Sequence, residues 1–185
     1  RNFLKCTVHA GEAYGPESIF QAITDLHADR VGHGTYLLEP DQIRDPSIVD
    51  RDLYVDRLGN YIADRRITLE ICLTSNLQTN PLMTALSDHT FRKLREKRIS
   101  TTICTDNRLV SHTTVTNELR LAVDHLGLDR HDLKSIIVYG FKRSFYPGSY
   151  LDKRQYVRQV IDHYDAETKT FILKYRLKSG RVRWK

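Results

Sequence analysis

The strongest constraint on the fold is a fourfold recurrence in which a short apolar run precedes a stretch of helical periodicity. "FLKCTVHAG" precedes "ESIFQAITDLHA", where Ile19, Ile23 and Leu26 repeat at three to four residues and Pro16 suits a first helical position. "RVGHG" precedes a helical pattern over 52–64, with Tyr54, Leu58, Tyr61 and Ile62 on one side. "ITLEICLTSN" precedes another over 90–97, carrying Phe91 and Leu94. "STTICTDN" precedes "TNELRLAVDHL", where Leu119, Ala122, Val123 and Leu126 are spaced for a buried stripe. Strand-then-helix units in series predict a parallel sheet with helices outside it.

Each apolar run ends in polar groups: His9 and Glu12, then His33, then Ser75 and Asn76, then Asp106 and Asn107. In a parallel α/β sheet the carboxyl ends of the strands share one face, and in a (β/α) barrel that face carries the active site. Residues far apart in sequence are therefore expected to converge. A structural turn would account for any one of them: His9 and Glu12 as a hydrogen-bonded turn, His33 as a cap between glycines, Asp106 as a loop carboxylate. Four such endings in succession favour a site. Neutral imidazole and carboxylate are good ligands for a borderline divalent ion such as zinc, which activates water near neutral pH when one coordination position stays open. His9 and Asp106 are the natural ligand pair, Glu12 the candidate proton donor, and His33 the group that orients or deprotonates the attacking water.

Composition narrows the remaining classes. A chain of 185 residues with 40% apolar content supports one domain with a sizeable core, and no apolar run approaches membrane-spanning length. A soluble, cytoplasmic protein without a membrane partner is expected. The first residue is Arg, and the opening shows no apolar segment followed by a cleavage site, so a chain cut or processed from a longer one is expected. Cys6, Cys72 and Cys104 are odd in number and widely separated, which predicts reduced, strand-buried thiols in a reducing compartment. The net charge of +6 resides mostly in residues 165–185, where Lys169, Lys174, Arg176, Lys178, Arg181, Arg183 and Lys185 face only Asp165 and Glu167. The body is nearly neutral, so a nucleic-acid partner is not expected.

"VHAGE", "RVGHG", "CLTSN" and "CTDN" occur in the order and approximate spacing of adenosine deaminase and its relatives, a zinc-dependent group of amidohydrolase-like barrels. The resemblance runs from about Phe3 to Tyr164 and includes "FRKLREKRI" and "SFYPGSYLDKRQYVRQVIDHY". Together the motifs are specific, whereas each alone is weak. The resemblance implies the carboxy-terminal half, about four β/α units, of a TIM-type (β/α)8 barrel over 1–164, followed by the basic tail over 165–185. It implies His9 as a Zn2+ ligand, Glu12 as the acid that protonates purine N1, and His33 as the histidine beside the attacking water. Asp106 is implied as the last zinc ligand, in contact with that water, and Gly11 and Asn107 as substrate-binding positions. The implied reaction is hydrolytic deamination of adenosine or 2'-deoxyadenosine to inosine or deoxyinosine and ammonia. The H-x-E and P-C-x-x-C signature of cytidine-deaminase-type zinc enzymes is absent from the sequence.

Two departures from the family pattern stand out. Asn107 occupies the place of a second Asp; purine N7 only accepts hydrogen bonds, and an Asn amide donates at any pH. The family's first four strands, with a His-x-His pair of zinc ligands, do not appear, so the working protein is expected to include a partner segment that supplies them. Alternatives are a deaminase of another 6-aminopurine, adenine or AMP, and a non-catalytic half-barrel binding module. "TFILKYRLKSGRVRWK" alternates around Ser179-Gly180 and predicts a C-terminal β-hairpin that packs or solubilises, with contact to an acidic partner or nucleic acid as the alternative. His27, His89, His112, His125, His131 and His163 are expected to be solvated.

Overall fold

Four short strands lie side by side, all parallel and in chain order: β1 (Thr7–Ala10), β2 (Arg30–His33), β3 (Thr68–Ile71) and β4 (Thr101–Ile103). The computed structural model describes residues 4–179, with side chains through Thr170. His9 is level with Gly32, Val31 with Leu69, and Ile71 with Ile103. Sequential parallel order, with a helical crossover between neighbours, is the pattern of consecutive units in a (β/α) barrel. Among the described residues β1 and β4 each have one strand neighbour, so both outer backbone edges are open.

The expected helices form, with shifted bounds and altered faces. Helix α1 (Pro16–Thr24) starts on Pro16 and buries Ile19 and Ala22, but it stops before Leu26, which is 60% exposed. The chain there turns back so that Asp29 N–H donates to the Cys6 carbonyl, which sets the start of β2. Helix α2 (Arg51–Arg65) is capped by the Asp50 carboxylate, which accepts from Leu53 N–H, and ends at Arg66 in a left-handed conformation. It buries Val55, Leu58, Gly59 and Ile62, whereas Tyr61 faces outward. "ITLEICLTSN" is not one long strand: β3 ends at Ile71 and helix α3 (Leu73–Thr79) begins at once, burying Ser75 and Asn76 in its first turns. Helices α4 (Phe91–Glu96) and α5 (Arg108–Ser111) flank β4. Val31, Leu69 and Ile71 from the sheet pack with Ile19, Ile62, Phe91 and Leu94 in one core.

Helix α6 (Val115–Leu126) is capped by Thr114 and stopped at Gly127, whose φ of +67° glycine adopts without penalty. Ala122 and Leu126 of its expected stripe are buried, but Val123 is exposed and a carboxylate, Glu118, is fully enclosed. Glu118 accepts from Thr74 N–H at 3.1 Å, from Thr113 Oγ1 at 2.7 Å and from Thr74 Oγ1, tying α6 to the first turn of α3. Removing the carboxylate strands buried donors, each of which costs about 1–3 kcal/mol. Glu118→Ala is therefore expected to lower unfolding free energy by roughly 2–4 kcal/mol in chemical denaturation. A change below about 0.5 kcal/mol, the range of an ordinary surface substitution, would exclude this clamp.

Contacts divide the chain into two compact units, 1–140 and 141–185. Helix α7 (Arg130–Lys142) crosses that boundary, and helix α8 (Tyr150–Ser179) lies in the second unit. In that unit Tyr156 meets Phe141 edge-on and stacks on Tyr146, with centroids 5.8 and 5.3 Å apart, while Lys153 Nζ donates to the Ser144 carbonyl. The change of composition at 164/165 falls inside α8, which continues without a break. The expected C-terminal hairpin is corrected accordingly. Its first strand, Phe171–Leu177, is helical, and the remainder from Gly180 lies outside the described residues. Extending a formed helix satisfies one backbone pair per residue, whereas a new two-stranded ribbon must pay its own nucleation.

No disulfide forms among the cysteines: Cys72 is buried, just beyond β3, while Cys6 and Cys104 are partly covered. Burial pushes the Cys72 thiol up and the Cys104 thiol up to about 11, which leaves both as inert thiols. Among the described residues no helix is long and apolar enough to cross a membrane.

Candidate active site

The polar residues at the strand ends converge. His9 lies in β1, His33 ends β2, Ser75 and Asn76 sit just beyond β3, and Asp106 follows β4. His9, His33 and Asp106 bring one potential ligand atom each within 4.8 Å of one another. The His9 and His33 rings meet nearly edge to face, with centroids 4.8 Å apart. Gly32 makes room for this pairing, because a Cβ there would come within 2.9 Å of His9 Cδ2.

Two of the site residues hold left-handed backbone conformations that non-glycine residues seldom adopt: His33 at φ +65° and Asp106 at φ +55°. Each such conformation costs about 1–3 kcal/mol and persists where its surroundings fix it. For Asp106 one such contact is Ser75 Oγ, which donates to Oδ2 at 2.7 Å. Gly11 at φ +68° makes the turn that carries the chain from His9 to Glu12. Its N–H donates to Ser18 Oγ and its carbonyl accepts from Tyr36 N–H, and a Cβ there would strike Ile19 Cδ1 at 2.4 Å.

That turn delivers the Glu12 carboxylate to His33. Glu12 Oε2 lies 3.3 Å from His33 Nε2, while Oε1 accepts from Thr79 Oγ1 at 2.9 Å and lies 3.5 Å from Asn76 Nδ2. His33 Nε2 also lies 3.1 Å from His9 Nδ1, and its Nδ1 lies 3.0 Å from Asn76 Nδ2. Burial holds the His33 imidazole below the usual histidine range, outweighing the pull of Glu12 in the other direction. Asn107 spends its side-chain oxygen on capping α5, accepting from Leu109 and Val110 N–H, both at 3.2 Å. The donor half of its amide is thereby turned away from the helix end.

His89 corrects an expectation. It is 3% exposed, not solvated, and joins the site from behind, with Nε2 3.2 Å from Asn76 Oδ1 and Nδ1 accepting from Phe91 N–H at 3.0 Å. The other five histidines expected in solvent are exposed. Thr79 and Ser75 also hold site carboxylates. Ser75 is among the polar groups that end the apolar runs, whereas no local sequence signal distinguishes Thr79, whose partner is 67 residues away.

The donor set suits zinc. Tetrahedral ligands about 2.1 Å from an ion stand roughly 3.4 Å from one another, and imidazole nitrogen with carboxylate oxygen is an ordinary combination for it. The candidate ligand atoms, within 4.8 Å of one another, are separated on that same scale.

Parallel β/α units in chain order, with imidazoles and carboxylates gathered at the strand ends, define the fold class as about half of a (β/α) barrel. Comparison with known proteins gives the family. The adenosine deaminase family model matches residues 1–164. Adenosine deaminase 1 of Streptomyces coelicolor is 38% identical over 141 residues, spanning 76% of this chain and 34% of that protein. Among solved structures, the N6-mAMP deaminase of Arabidopsis is 29% identical, with a TM-score of 0.65 over 88% of this chain and 42% of that one. A zinc-bound amidohydrolase from Burkholderia ambifaria shares the fold at 20% identity, with a TM-score of 0.74 over 92% of this chain and 43% of that one. The chain belongs to the adenosine deaminase family, and it spans less than half the length of these relatives.

Proposed function

We propose that the complete protein removes the 6-amino group of adenosine or 2'-deoxyadenosine by zinc-dependent hydrolysis, giving the 6-oxo nucleoside and ammonia. The observation that carries this reading is the meeting of His9, Glu12, His33 and Asp106 at the strand ends of a chain from this family. His9 and Asp106 would hold the ion, with further ligands from the barrel segment that relatives contain in addition to the matched portion. When bound, zinc supplies the Lewis acidity that makes water a nucleophile near neutral pH.

The chain's own residues supply the rest. Glu12 donates a proton to purine N1 as the oxygen of water adds to C6, so charge does not build up on the ring. His33 sits beside the attacking oxygen, and Ser75 keeps Asp106 oriented. As C6 regains its carbonyl, the hydroxyl proton passes to the departing amino nitrogen, the C6–N bond breaks and ammonia leaves, while the other proton of water restores the Glu12 carboxyl. Gly11 allows close backbone approach of the substrate.

Asn107 is assigned to N7, because its oxygen is engaged by the α5 cap and its NH2 group remains to donate. Replacing N7 of a ground-state analogue by CH is expected to weaken binding by about 0.5–1.5 kcal/mol, the net worth of one hydrogen bond. Equal inhibition constants for the two analogues would remove Asn107 from recognition.

The reaction itself is tested by following adenosine absorbance and ammonia release with the complete protein, before and after chelation and zinc return. Absence of turnover in the zinc-loaded protein would refute it. The likeness to the Arabidopsis N6-mAMP deaminase gives one competing reading, a 6-aminopurine nucleotide substrate. Higher kcat/KM for AMP than for adenosine would favour that reading, and higher kcat/KM for adenine the nucleobase.

A further inference from the structure

Behind the site runs a chain of four hydrogen bonds whose direction is fixed from one end. It starts at the backbone N–H of Phe91, which can only donate, so His89 Nδ1 must accept. A neutral imidazole has one proton, which for His89 then resides on Nε2 and points to Asn76 Oδ1 at 3.2 Å. With its oxygen so used, Asn76 presents its amide nitrogen to His33 Nδ1 at 3.0 Å. His33 Nδ1 therefore accepts, and the proton of neutral His33 lies on Nε2, facing Glu12 Oε2 and His9 Nδ1.

We infer that His89 and Asn76 are positioning residues that fix the tautomer of His33, so that His33 meets the reacting oxygen as a hydrogen-bond donor from Nε2 and not as a base. The catalytic consequence rests on the proposed hydrolysis, whereas the tautomer does not. Burial makes the relay stiff. Asn76 is fully enclosed and His33 and His89 nearly so, which leaves water no route to replace a lost partner. Burial also holds the His89 imidazole down to about 4, consistent with its neutral form. A reversed Asn76 amide would set two donors against each other at His89.

The same relay separates the three clustered ligand candidates. His33 cannot offer a lone pair at Nε2 without moving its proton to Nδ1 and breaking the bond from Asn76. Asp106 keeps carboxylate lone pairs beyond the bond from Ser75, and the His33 proton can go to Glu12 and leave the His9 ring free to ligate, so His33 is assigned to the reacting oxygen and not to the ion.

The test is 15N NMR of the zinc-loaded complete protein labelled in histidine, with His33 assigned from a His33→Gln variant. A pyrrole-type Nε2 and a pyridine-type Nδ1 are expected for His33. His89→Gln, whose amide nitrogen can still donate to Asn76, is expected to keep that pattern and kcat/KM within about threefold, with some loss of stability from the unpaired Phe91 N–H. His89→Leu is expected to mix the His33 tautomers and lower kcat/KM for adenosine by about 10- to 100-fold, the usual range for outer-shell partners. Asn76→Asp, which can only accept, is expected to move the proton to Nδ1. A pyridine-type Nε2 in the unaltered protein, or an unchanged His33 spectrum in Asn76→Asp, overturns the inference. Should His89→Leu fail to fold, the Gln and Asp variants decide alone. Failure of the deaminase reading would show separately, as absence of adenosine turnover in the unaltered protein whatever its tautomer.

Discussion

Glu12→Gln is expected to lower turnover of the complete protein about 100-fold or more while zinc content and binding of a ground-state nucleoside stay near their unaltered values, the range associated with loss of a positioned acid. The substitution preserves size and retains an oxygen to accept from Thr79, so the turn after Gly11 should keep its shape. What it removes is the exchangeable carboxyl proton that the proposed reaction delivers to N1. An amide cannot shuttle that proton at any accessible pH. The expected kinetic pattern is a fall in kcat with little change in substrate affinity, as for an interaction made in the transition state. Steady-state kinetics with metal analysis distinguishes the outcomes. Near-unaltered turnover would remove Glu12 from the chemistry, and a parallel loss of zinc would make it a structural support.

The second large effect concerns the chain by itself. With His33 assigned to the reacting oxygen, the His9–His33–Asp106 cluster leaves His9 and Asp106 for an ion, whereas a site that activates water ordinarily uses three or more protein ligands. β1 and β4 also present open edges among the described residues, where a continuing barrel would place strands. The isolated chain is therefore expected to bind zinc substoichiometrically and to show no sustained deamination. Mixing with a segment carrying the preceding four β/α units of the barrel is expected to restore both. The rate difference should reach several orders of magnitude, because positioning alone can supply roughly 7–11 kcal/mol of a barrier reduction. Metal analysis and adenosine absorbance before and after mixing provide the measurement. Stoichiometric zinc with turnover from the chain alone would show that it completes its own site, for instance by pairing two copies.

Much of the architecture was legible because it is periodic. Alternation of apolar runs with helical stripes located four β/α units, and the rule that strand ends share a face placed His9, Glu12, His33 and Asp106 together before any coordinates. Where local pattern competed with tertiary context, it misjudged. The β-like "CLTSN" becomes helix from Leu73, since Ser75 and Asn76 must turn toward Asp106 and His33. Alternation in 171–177 suggested a strand, but the segment continues the α8 helix, where each added residue satisfies one further backbone pair.

The sequence by itself determined the order of elements, the family, and the residue types that reach the site, because spacing and side-chain chemistry are properties of the chain. Tertiary structure alone decided the environments. His89 was expected in solvent and no local pattern marks Glu118 for burial, yet packing encloses both and gives each a partner across 13 and 44 residues respectively. The protonation pattern of His33 belongs to the same category. It is set by a backbone N–H at Phe91 acting through two buried side chains, and hydrogen-bond direction exists only once those groups have been brought within 3.2 Å of one another.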